Sequence, residues 1–600
     1  MAHLELAHVD HALDDGRPLL HDVSLRIGDG AKVALVGPNG IGKTTLLGLL
    51  DGRIPVQSGA RGLSGRLGVM RQFVPASTAA TPLRGASQPA GVGPGSVRDG
   101  TTIRDLLLTT SPPAIREAAA ALDAAEERAV LDDGERAQMA YARALADWGD
   151  AGGYDEEVRW DFATLAALHV PFDQVRYRRA GTLSGGEQKR LVLESLFSGP
   201  DDVLLLDEPD NFLDVPGKEW LERIVRESPK TVLLVTHDRE VIARCATAIA
   251  TLERGAAGAT LWLHGGGLDS YRQARIDRND RLDELRRRWL EEEQKLKDLV
   301  LMYKTKAAYN ADMASRLQAA RSRLARFQAE GMPEAAPVPE QVSMRLLGGR
   351  TAKRAIVCER LELTGLMRPF STEVWFGDRV AVLGSNGSGK SHFLRLLRQT
   401  DEHPLGLGRH AASPRAGTGP SGPRVGTEGV GDPVATEPVV FGGVVRLGNR
   451  VRTGYFNQTH QHPEFTGRTL LEILDAGSAD RTGLDRGGAS SVLGRYGLVK
   501  SAEQRFESLS GGQQARFQIL LLELEGATLL LLDEPTDNLD FESAEALEQA
   551  LQRFAGAVVA VTHDRWFARG FDRFLVFDED GRVRESDAPD WAVGHVRRAR

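Results

Sequence analysis

"VALVGPNGIGKTTLLGLL" runs from Val33 to Leu50, and "VAVLGSNGSGKSHFLRLL" runs from Val380 to Leu397. Each reads as a short apolar strand, a glycine-rich turn and the opening of an apolar helix. Inside the turns lies G-x-x-x-x-G-K-[ST], as Gly37-Pro38-Asn39-Gly40-Ile41-Gly42-Lys43-Thr44 and again from Gly384 to Ser391. A strand before and a helix after are the context that makes this pattern a phosphate-binding loop. The glycines let backbone N–H groups turn inward around phosphate oxygens. The helix N-terminus adds its partial positive charge. Lys43 and Lys390 are expected to reach the terminal phosphates of ATP, and Thr44 and Ser391 to hold Mg²⁺. Gly37, Pro38, Asn39, Gly40, Gly42 and Thr45 complete the first ligand set. Gly384, Ser385, Asn386, Gly387, Gly389 and His392 complete the second.

Outward from these loops the two halves keep matching. "LSGGEQKR" at Leu183–Arg190 returns as "LSGGQQAR" at Leu509–Arg516. "VLLLDEPDNFLD" returns as "LLLLDEPTDNLD", and "VTHDR" begins at both Val235 and Val561. Ser184 precedes Asp207 by 23 residues and Ser510 precedes Asp533 by 23. Glu208 precedes His237 by 29 residues, as Glu534 precedes His563. Matched order at matched spacing means one domain written twice. Asp207 and Asp533 end buried strands and are expected in the Mg²⁺ shell. Adjacent carboxylates there are costly unless a cation or water uses them. Glu208 and Glu534 stand where a general base can polarise water toward a γ-phosphate. A lone histidine past a strand is usually structural, but recurrence at equal spacing makes His237 and His563 candidate γ-phosphate contacts. Gln72 and Gln458, each ending a short strand, are candidate metal and water sensors.

Composition sets bounds. Six hundred residues with 41% hydrophobic and 26% charged content describe a multi-domain globular chain. A net charge of −8 argues against a general nucleic-acid coat, though it allows a local basic patch. Two distant cysteines, Cys245 and Cys358, cannot build a disulfide framework, zinc cluster or iron–sulfur site. No apolar run reaches the length of a membrane helix. The opening "MAHLELAHVDH" lacks the basic-then-apolar pattern of a secretory signal, so a cytoplasmic protein is expected.

Together the P-loop, strand-end glutamine, "LSGGEQ", "LDEP" and switch histidine, present twice, resemble the ATP-binding cassette superfamily across both halves. That resemblance implies an α/β fold of two tandem P-loop cassettes paired head to tail. Each ATP would then lie between the P-loop of one half and the signature of the other. Ser184, Gly185, Gly186 and Glu187 would face the second P-loop. Ser510, Gly511, Gly512 and Gln513 would face the first. The sequence departs from the family at Asp210 and Phe212, where a hydroxyl residue and a histidine are more common, and at His392. No aromatic residue stands upstream of either P-loop where adenine would stack.

Between the halves, Ser270 to Glu330 contains neither Gly nor Pro. Leu282, Leu285, Trp289, Leu296, Leu299 and Tyr303 fall on a three–four spacing, continued by Leu317, Ala320, Leu324 and Phe327. Glu291–Lys295 and Glu293–Lys297 are favourable i,i+4 pairs. This predicts two helices of about 30 residues, each roughly 45 Å long, packed on a narrow seam and turning near 304–310. Leu299 to Phe327 carries six basic residues, Lys304, Lys306, Arg316, Arg321, Arg323 and Arg326, against the single acid Asp312. Charge alone fits a solvated spacer as well as an RNA-binding tip. Two fused cassettes with a linker opening "SYRQARIDR" resemble the ABC-F class, which implies a ribosome partner, contacting rRNA and P-site tRNA through the linker. Translation factor and antibiotic-resistance factor both remain open. The energy-coupling subunit of a membrane transporter is the alternative. The expected domains are 1–268, with an insertion at 75–102; the hairpin 269–348; and 349–600, with an insertion at 401–443.

Overall fold

Parallel strands set the frame of each half. In the computed structural model, residues 2–71, 101–132, 134–255, 257–307, 313–337, 342–402, 439–457, 462–478 and 481–591 are described. The two expected insertions lie almost wholly outside the described residues, and Gln72 and Gln458 lie outside them too. Leu67–Met70, Val203–Asp207, Thr231–Val235, Lys32–Val36 and Ala248–Arg254 lie side by side in parallel, with Ala259–His264 antiparallel at the end. Thr453–Phe456, Leu529–Asp533, Ala557–Val561, Arg379–Gly384 and Arg573–Phe577 repeat this order, ending on antiparallel Val583–Ser586. "VLLLD", "TVLLV", "LLLLD" and "AVVAV" are buried at every position, as strands covered on both faces must be.

Register carries the chemistry. Asp207 pairs with Val235, and Asp533 with Val561. The acidic pair and the histidine of each half are therefore delivered side by side at the carboxyl edge of the sheet, where open α/β sheets hold their ligands. An antiparallel side sheet flanks each half. His3–Ala12 pairs with Pro18–Ile27 and Ala60–Ser64, while Arg354–Leu363 pairs with Met367–Trp375 and Phe441–Leu447. The first joins its main sheet through Leu20 and Ala259, and the second stays separate. The first helical subdomain, Pro113–Leu131, Glu135–Asp150 and Gly153–Leu168, closes over Trp148, Trp160 and Phe172. Its counterpart is smaller, with Leu470–Ala476 and Arg486–Arg495.

The intervening arm is a helical hairpin, but its helices are unequal. Leu268–Ala307 has 40 residues and Met313–Ala329 has 17, or about 60 and 25 Å at 1.5 Å per residue. The first helix begins directly after Gly265-Gly266-Gly267, and the second stops just before Gly331 and Pro333. Leu296 and Ala320 are buried on the seam, and Trp289 stacks on Phe327 at 5.1 Å between ring centroids. Leu285, expected on that seam, is 46% exposed. The return helix ends too early to cover it. Glu293 pairs with Lys297 at 2.9 Å, whereas Lys295 turns to Glu292 at 3.6 Å rather than to Glu291. Both lysines are exposed, and ion pairs of this kind contribute little. Among the described residues no helix is long and apolar enough to cross a membrane.

The Trp289–Phe327 stack fixes how the arm's helices meet. Trp289→Ala should cost about 1–2 kcal/mol of local stability. Faster amide hydrogen exchange across 285–303 and 317–329, with basal ATP turnover unchanged, is the expected readout.

Candidate nucleotide-binding site

Each P-loop turns from its strand into a helix, Lys43–Leu50 or Lys390–Glu402. Gly37, Gly40 and Gly42 take positive φ, and so do Gly384, Gly387 and Gly389. A side chain at Gly37 would meet the Leu252 carbonyl at 2.7 Å, so no larger residue fits that turn. Lys43 donates to the carbonyls of Gly37 (2.7 Å) and Pro38 (3.3 Å), and Lys390 to those of Gly384 (2.8 Å) and Ser385 (2.9 Å). Burial lowers the Lys43 ammonium to about 8, against the attraction of Asp540 and Glu208. Thr44 and Thr45, like Ser391 and His392, follow in the first helical turn. Leu19 lies against Gly42 and Leu366 against Gly389, so aliphatic side chains stand beside both loops.

The signature motifs are helix starts. Ser184 caps Gly185–Ser198 and Ser510 caps Gly511–Glu525, each as a full capping box. Glu187 accepts from the Ser184 N–H at 2.8 Å, and Gln513 from the Ser510 N–H at 3.0 Å. The side chains of Glu187 and Gln513 therefore secure their own helices.

The halves meet head to tail. Asn39 Nδ2 donates to the Asn538 carbonyl at 3.0 Å, and Asn386 Nδ2 to the Phe212 carbonyl at 3.2 Å. A P-loop asparagine thus grips the backbone after the opposite "LDEP" twice over. A Cβ on Gly512 would lie 2.2 Å from Asn39 Nδ2 and 2.7 Å from the Asn538 carbonyl; one on Gly186 would lie 2.9 Å from the Phe212 carbonyl. Buried Arg565 and Glu222 pair across the seam, as do Arg239 with Glu548 and Arg569 with Glu240 (2.8 Å). Lys218 reaches the His563 carbonyl at 3.3 Å. Burial alone would lower its ammonium, but Asp238 at 2.9 Å and Asp210 hold it above the ordinary range.

A cavity of about 440 Å³ opens at this junction. Ser184 and Gly186 of one half line it with Asn386, Lys390, Ser391 and Glu534 of the other; His237 and His563 both border it. Two helix N-termini, one from a P-loop and one from a signature, thus border one space, an arrangement that attracts an anion. Buried groups point the same way. The hydroxyls of Ser385 and Ser388 and both ring nitrogens of His237 have no hydrogen-bond partner among the described residues. Burial lowers His237 to about 3, aided by Lys43, and takes His563 well below its ordinary value; both rings are neutral.

The acidic corners are strained alike. Glu208 and Glu534 sit at φ 51 and 48, a left-handed conformation that side chains rarely adopt. Their N–H groups donate to the carbonyls of Val235 (2.9 Å) and Val561 (3.0 Å). Sequence reading gives no sign of this strain. Burial raises Asp207 to about 6, with Glu208 adding to it, and Glu534 to about 8, with Asp537 adding to it. Ser391 Oγ donates to Asp533 Oδ1 at 3.1 Å. One hydroxyl and one carboxylate so placed fit Mg²⁺, which takes one or two protein oxygens beside phosphate and water. No cage of three His, Cys, Asp or Glu occurs among the described residues. Sequence reading does not single out Lys189, Asn211 or Lys218; Lys189 against Ala515, one of two mismatches between the signature motifs, is the available signal.

Two P-loop domains whose signatures border each other's loops define an ATPase of the ATP-binding cassette type. A family model described as ABC transporter matches residues 20–211 and 446–537. The chain is 57% identical, over 98% of its length and 100% of the relative's, to an antibiotic resistance protein of Mycobacteroides abscessus. It is 29% identical to ATP-binding cassette sub-family F member 3 of Mus musculus, covering 94% of this chain and 70% of that one. Among solved structures, the model of ribosome-bound archaeal Pelota and ABCE1 matches with a TM-score of 0.53 at 17% identity, over 96% of this chain and 78% of that one, and so shares the fold. The chain belongs to the ABC-F subfamily of ATP-binding cassette proteins.

Gly512→Ala should wedge the first P-loop away from the opposite signature. Displacement on the order of 1 Å costs about 100-fold in a positioned reaction. ATP turnover should therefore fall by roughly 10- to 100-fold, with Gly265→Ala, where nothing lies within 4 Å and the backbone is not left-handed, as the control.

Proposed function

We propose that this ATPase binds the ribosome through its helical arm and acts in the cytoplasm as a translation or antibiotic-resistance factor. The observation that carries the reading is where the arm is rooted. Arg275 contacts buried Glu253 of the first half and Glu542 of the second, each at 3.1 Å. Arg278 also holds Glu253, and Arg272 holds Glu545. Glu542 and Glu545 lie on Phe541–Arg553, the helix that Asp540 caps directly after the second "LDEP" loop. A change in how the halves sit would pull on the arm at its base. Farther out, Lys304, Lys306 and Arg316 are exposed, and they suit phosphate contacts to RNA. Residues 308–310 of the expected turn lie outside the described residues. A relative 57% identical bears the name antibiotic resistance protein, which supports a protective role.

In this reading one ATP site uses Lys43, Thr44, Asp207, Glu208 and His237 with Ser510 and Gly512. The other uses Lys390, Ser391, Asp533, Glu534 and His563 with Ser184 and Gly186. Lysines and helix N-termini bind the phosphates. The glutamates accept the proton of the attacking water, and the neutral histidines hydrogen-bond the γ-phosphate. Thr44 with Asp207, and Ser391 with Asp533, would hold Mg²⁺, which supplies charge neutralisation between the phosphates. Gln72 and Gln458 are assigned to the same shells on sequence alone. ATP joins the halves, and its hydrolysis lets them part.

The test is ribosome co-sedimentation of Glu208→Gln/Glu534→Gln with ATP or ADP at two salt concentrations. Pelleting with ATP that weakens in ADP and at higher salt is expected. ATP bound without pelleting would sink the ribosome reading and direct the search to a membrane partner. Replacing Lys304, Lys306 and Arg316 with Ala should weaken pelleting by about tenfold or more through lost phosphate contacts, with basal ATP turnover unchanged. Unaltered pelleting would reduce the arm to a spacer.

A further inference from the structure

One buried cation crosses from the first half into the switch loop of the second. Lys218 stands on Val215–Glu227, the helix that Asp214 caps after the first "LDEP" loop. Its ammonium lies 2.9 Å from Asp238 Oδ2, in its own half, and donates to the His563 carbonyl at 3.3 Å, in the other. Asp238 is itself fixed, since its Oδ1 accepts from the Glu240 and Val241 N–H groups at 2.9 and 3.1 Å. His563 is held from the opposite side as well. Its N–H donates to Glu534 Oε2 at 2.9 Å, and its Nε2 lies 3.5 Å from Glu534 Oε1. The second switch histidine thus has its N–H on its own glutamate and its carbonyl on a lysine of the first half. Lys218, His563 and Glu534 all line the cavity between the first signature and the second P-loop.

A lysine this deeply buried is costly and calls for a reason. Burial works against its charge, but Asp238 and Asp210, with Asp537 and Asp564 across the seam, keep the ammonium above the ordinary range. The second half is built without it. Two residues after the glutamate stand Asp210 in the first half and Thr536 in the second. Four residues after the capping aspartate stand Lys218 and Ala544. An acid and a base in one half therefore take the places of a hydroxyl and a methyl group in the other. Both acidic corners nevertheless share a backbone, with their glutamates at φ 51 and 48. The fold of such a loop does not call for a lysine here. What Lys218 adds is a donor long enough to cross the seam, which Ala544 lacks.

Resting on the assignment of His563 to the γ-phosphate, we infer that Lys218 is a positioning residue for the ATP site built on Lys390, holding the switch histidine of the other half by its carbonyl. The ring is then set against the γ-phosphate only when the halves are closed. At that site, triphosphate is favoured over diphosphate by a side chain that the opposite half contributes.

Isothermal titration of the full chain with the non-hydrolysable β,γ-imido analogue of ATP, and with ADP, tests this. Asp210→Thr is the reference chain, because there Lys218 keeps Asp238. Adding Lys218→Ala to it reproduces the Thr536 and Ala544 pair with which the second half folds. That step should weaken the analogue about fivefold at one of the two sites, the factor of one hydrogen bond of ordinary net strength, and leave ADP binding unchanged. Lys218→Met on the same reference keeps the apolar stem without the donor and should lose the same factor. On a chain that also carries His563→Ala, the step should cost nothing further. On one that carries His237→Ala, it should cost the same factor as before. A lysine that merely helps to close the seam would weaken both sites, with or without the His563 ring. That result would overturn the inference, as would an unchanged affinity for the analogue or an equal loss for ADP. If His563→Ala alone left both sites unaltered toward the analogue, the γ-phosphate assignment itself would fall, and the inference with it.

Discussion

Two reciprocal hydrogen bonds, from Asn39 to the Asn538 carbonyl and from Asn386 to the Phe212 carbonyl, hold each P-loop to the loop beyond the opposite acidic pair. The composite cavity between the halves depends on that reciprocity. A P-loop alone supplies a lysine and one helix N-terminus. A signature alone supplies a capped helix start. Only when the halves interlock do the two partial charges border one cavity with acid, hydroxyl and imidazole groups beside them. The acceptors are backbone carbonyls, which explains why the loops can differ. Phe212 stands where Asn538 stands in the other half, yet both offer the same oxygen. The glycines of the signatures are required for the same reason: a methyl group at Gly512 would occupy the space the asparagine amide uses.

Strain and charge concentrate at the same place. Both glutamates are bent into left-handed backbone, a conformation that costs of order 1–3 kcal/mol. Regular strands precede them, with every residue buried, so the cost is met by a sheet that cannot easily yield. Desolvated carboxylates and desolvated lysines then face one another across the cavity. Burial shifts Asp207, Asp533, Glu534, Lys43 and Lys390 toward their neutral forms and the opposite charges work against that shift, and a polyanion with its counter-cation would complete that balance.

Much of this was legible in the sequence because motif spacing is a property of the chain. Equal distances from signature to aspartate and from glutamate to histidine translate directly into equal sheet registers, Asp207 with Val235 and Asp533 with Val561. Buried strands announce themselves by unbroken Leu and Val. What resisted reading depends on partners distant in sequence. Nothing in the local sequence foretells that the Asn211 amide lies on Glu208. Leu285 continues a correct seam pattern but lies beyond the end of the shorter helix, whose stop is fixed by Gly331 and Pro333. Two of the ion pairs at the arm's root, Arg275 with Glu542 and Arg272 with Glu545, join residues more than 260 positions apart in the chain, which no local period can foretell.

Ion pairs cross between the halves beside a small apolar contact, Phe541 and Trp566 against the Ala34–Ile249 cluster, and that balance decides how the seam can work. Arg565 with Glu222, Arg239 with Glu548, Arg569 with Glu240 and Arg272 with Glu545 cross the seam. The large apolar clusters stay within one half or the other. Buried ion pairs roughly break even once desolvation is counted, so they fix the register of closure without making it permanent. A ligand bound only in the closed form adds about 2.7 kcal/mol per site at a hundredfold excess over its Kd. Two such sites supply roughly 5 kcal/mol, close to the 5.5 kcal/mol that carries an equilibrium from 1:99 to 99:1. An apolar seam of the same extent would keep the halves together whatever occupied the sites. With charge at the seam, closure can follow what occupies the sites, and Arg272 and Arg275 join the second half to the base of the arm.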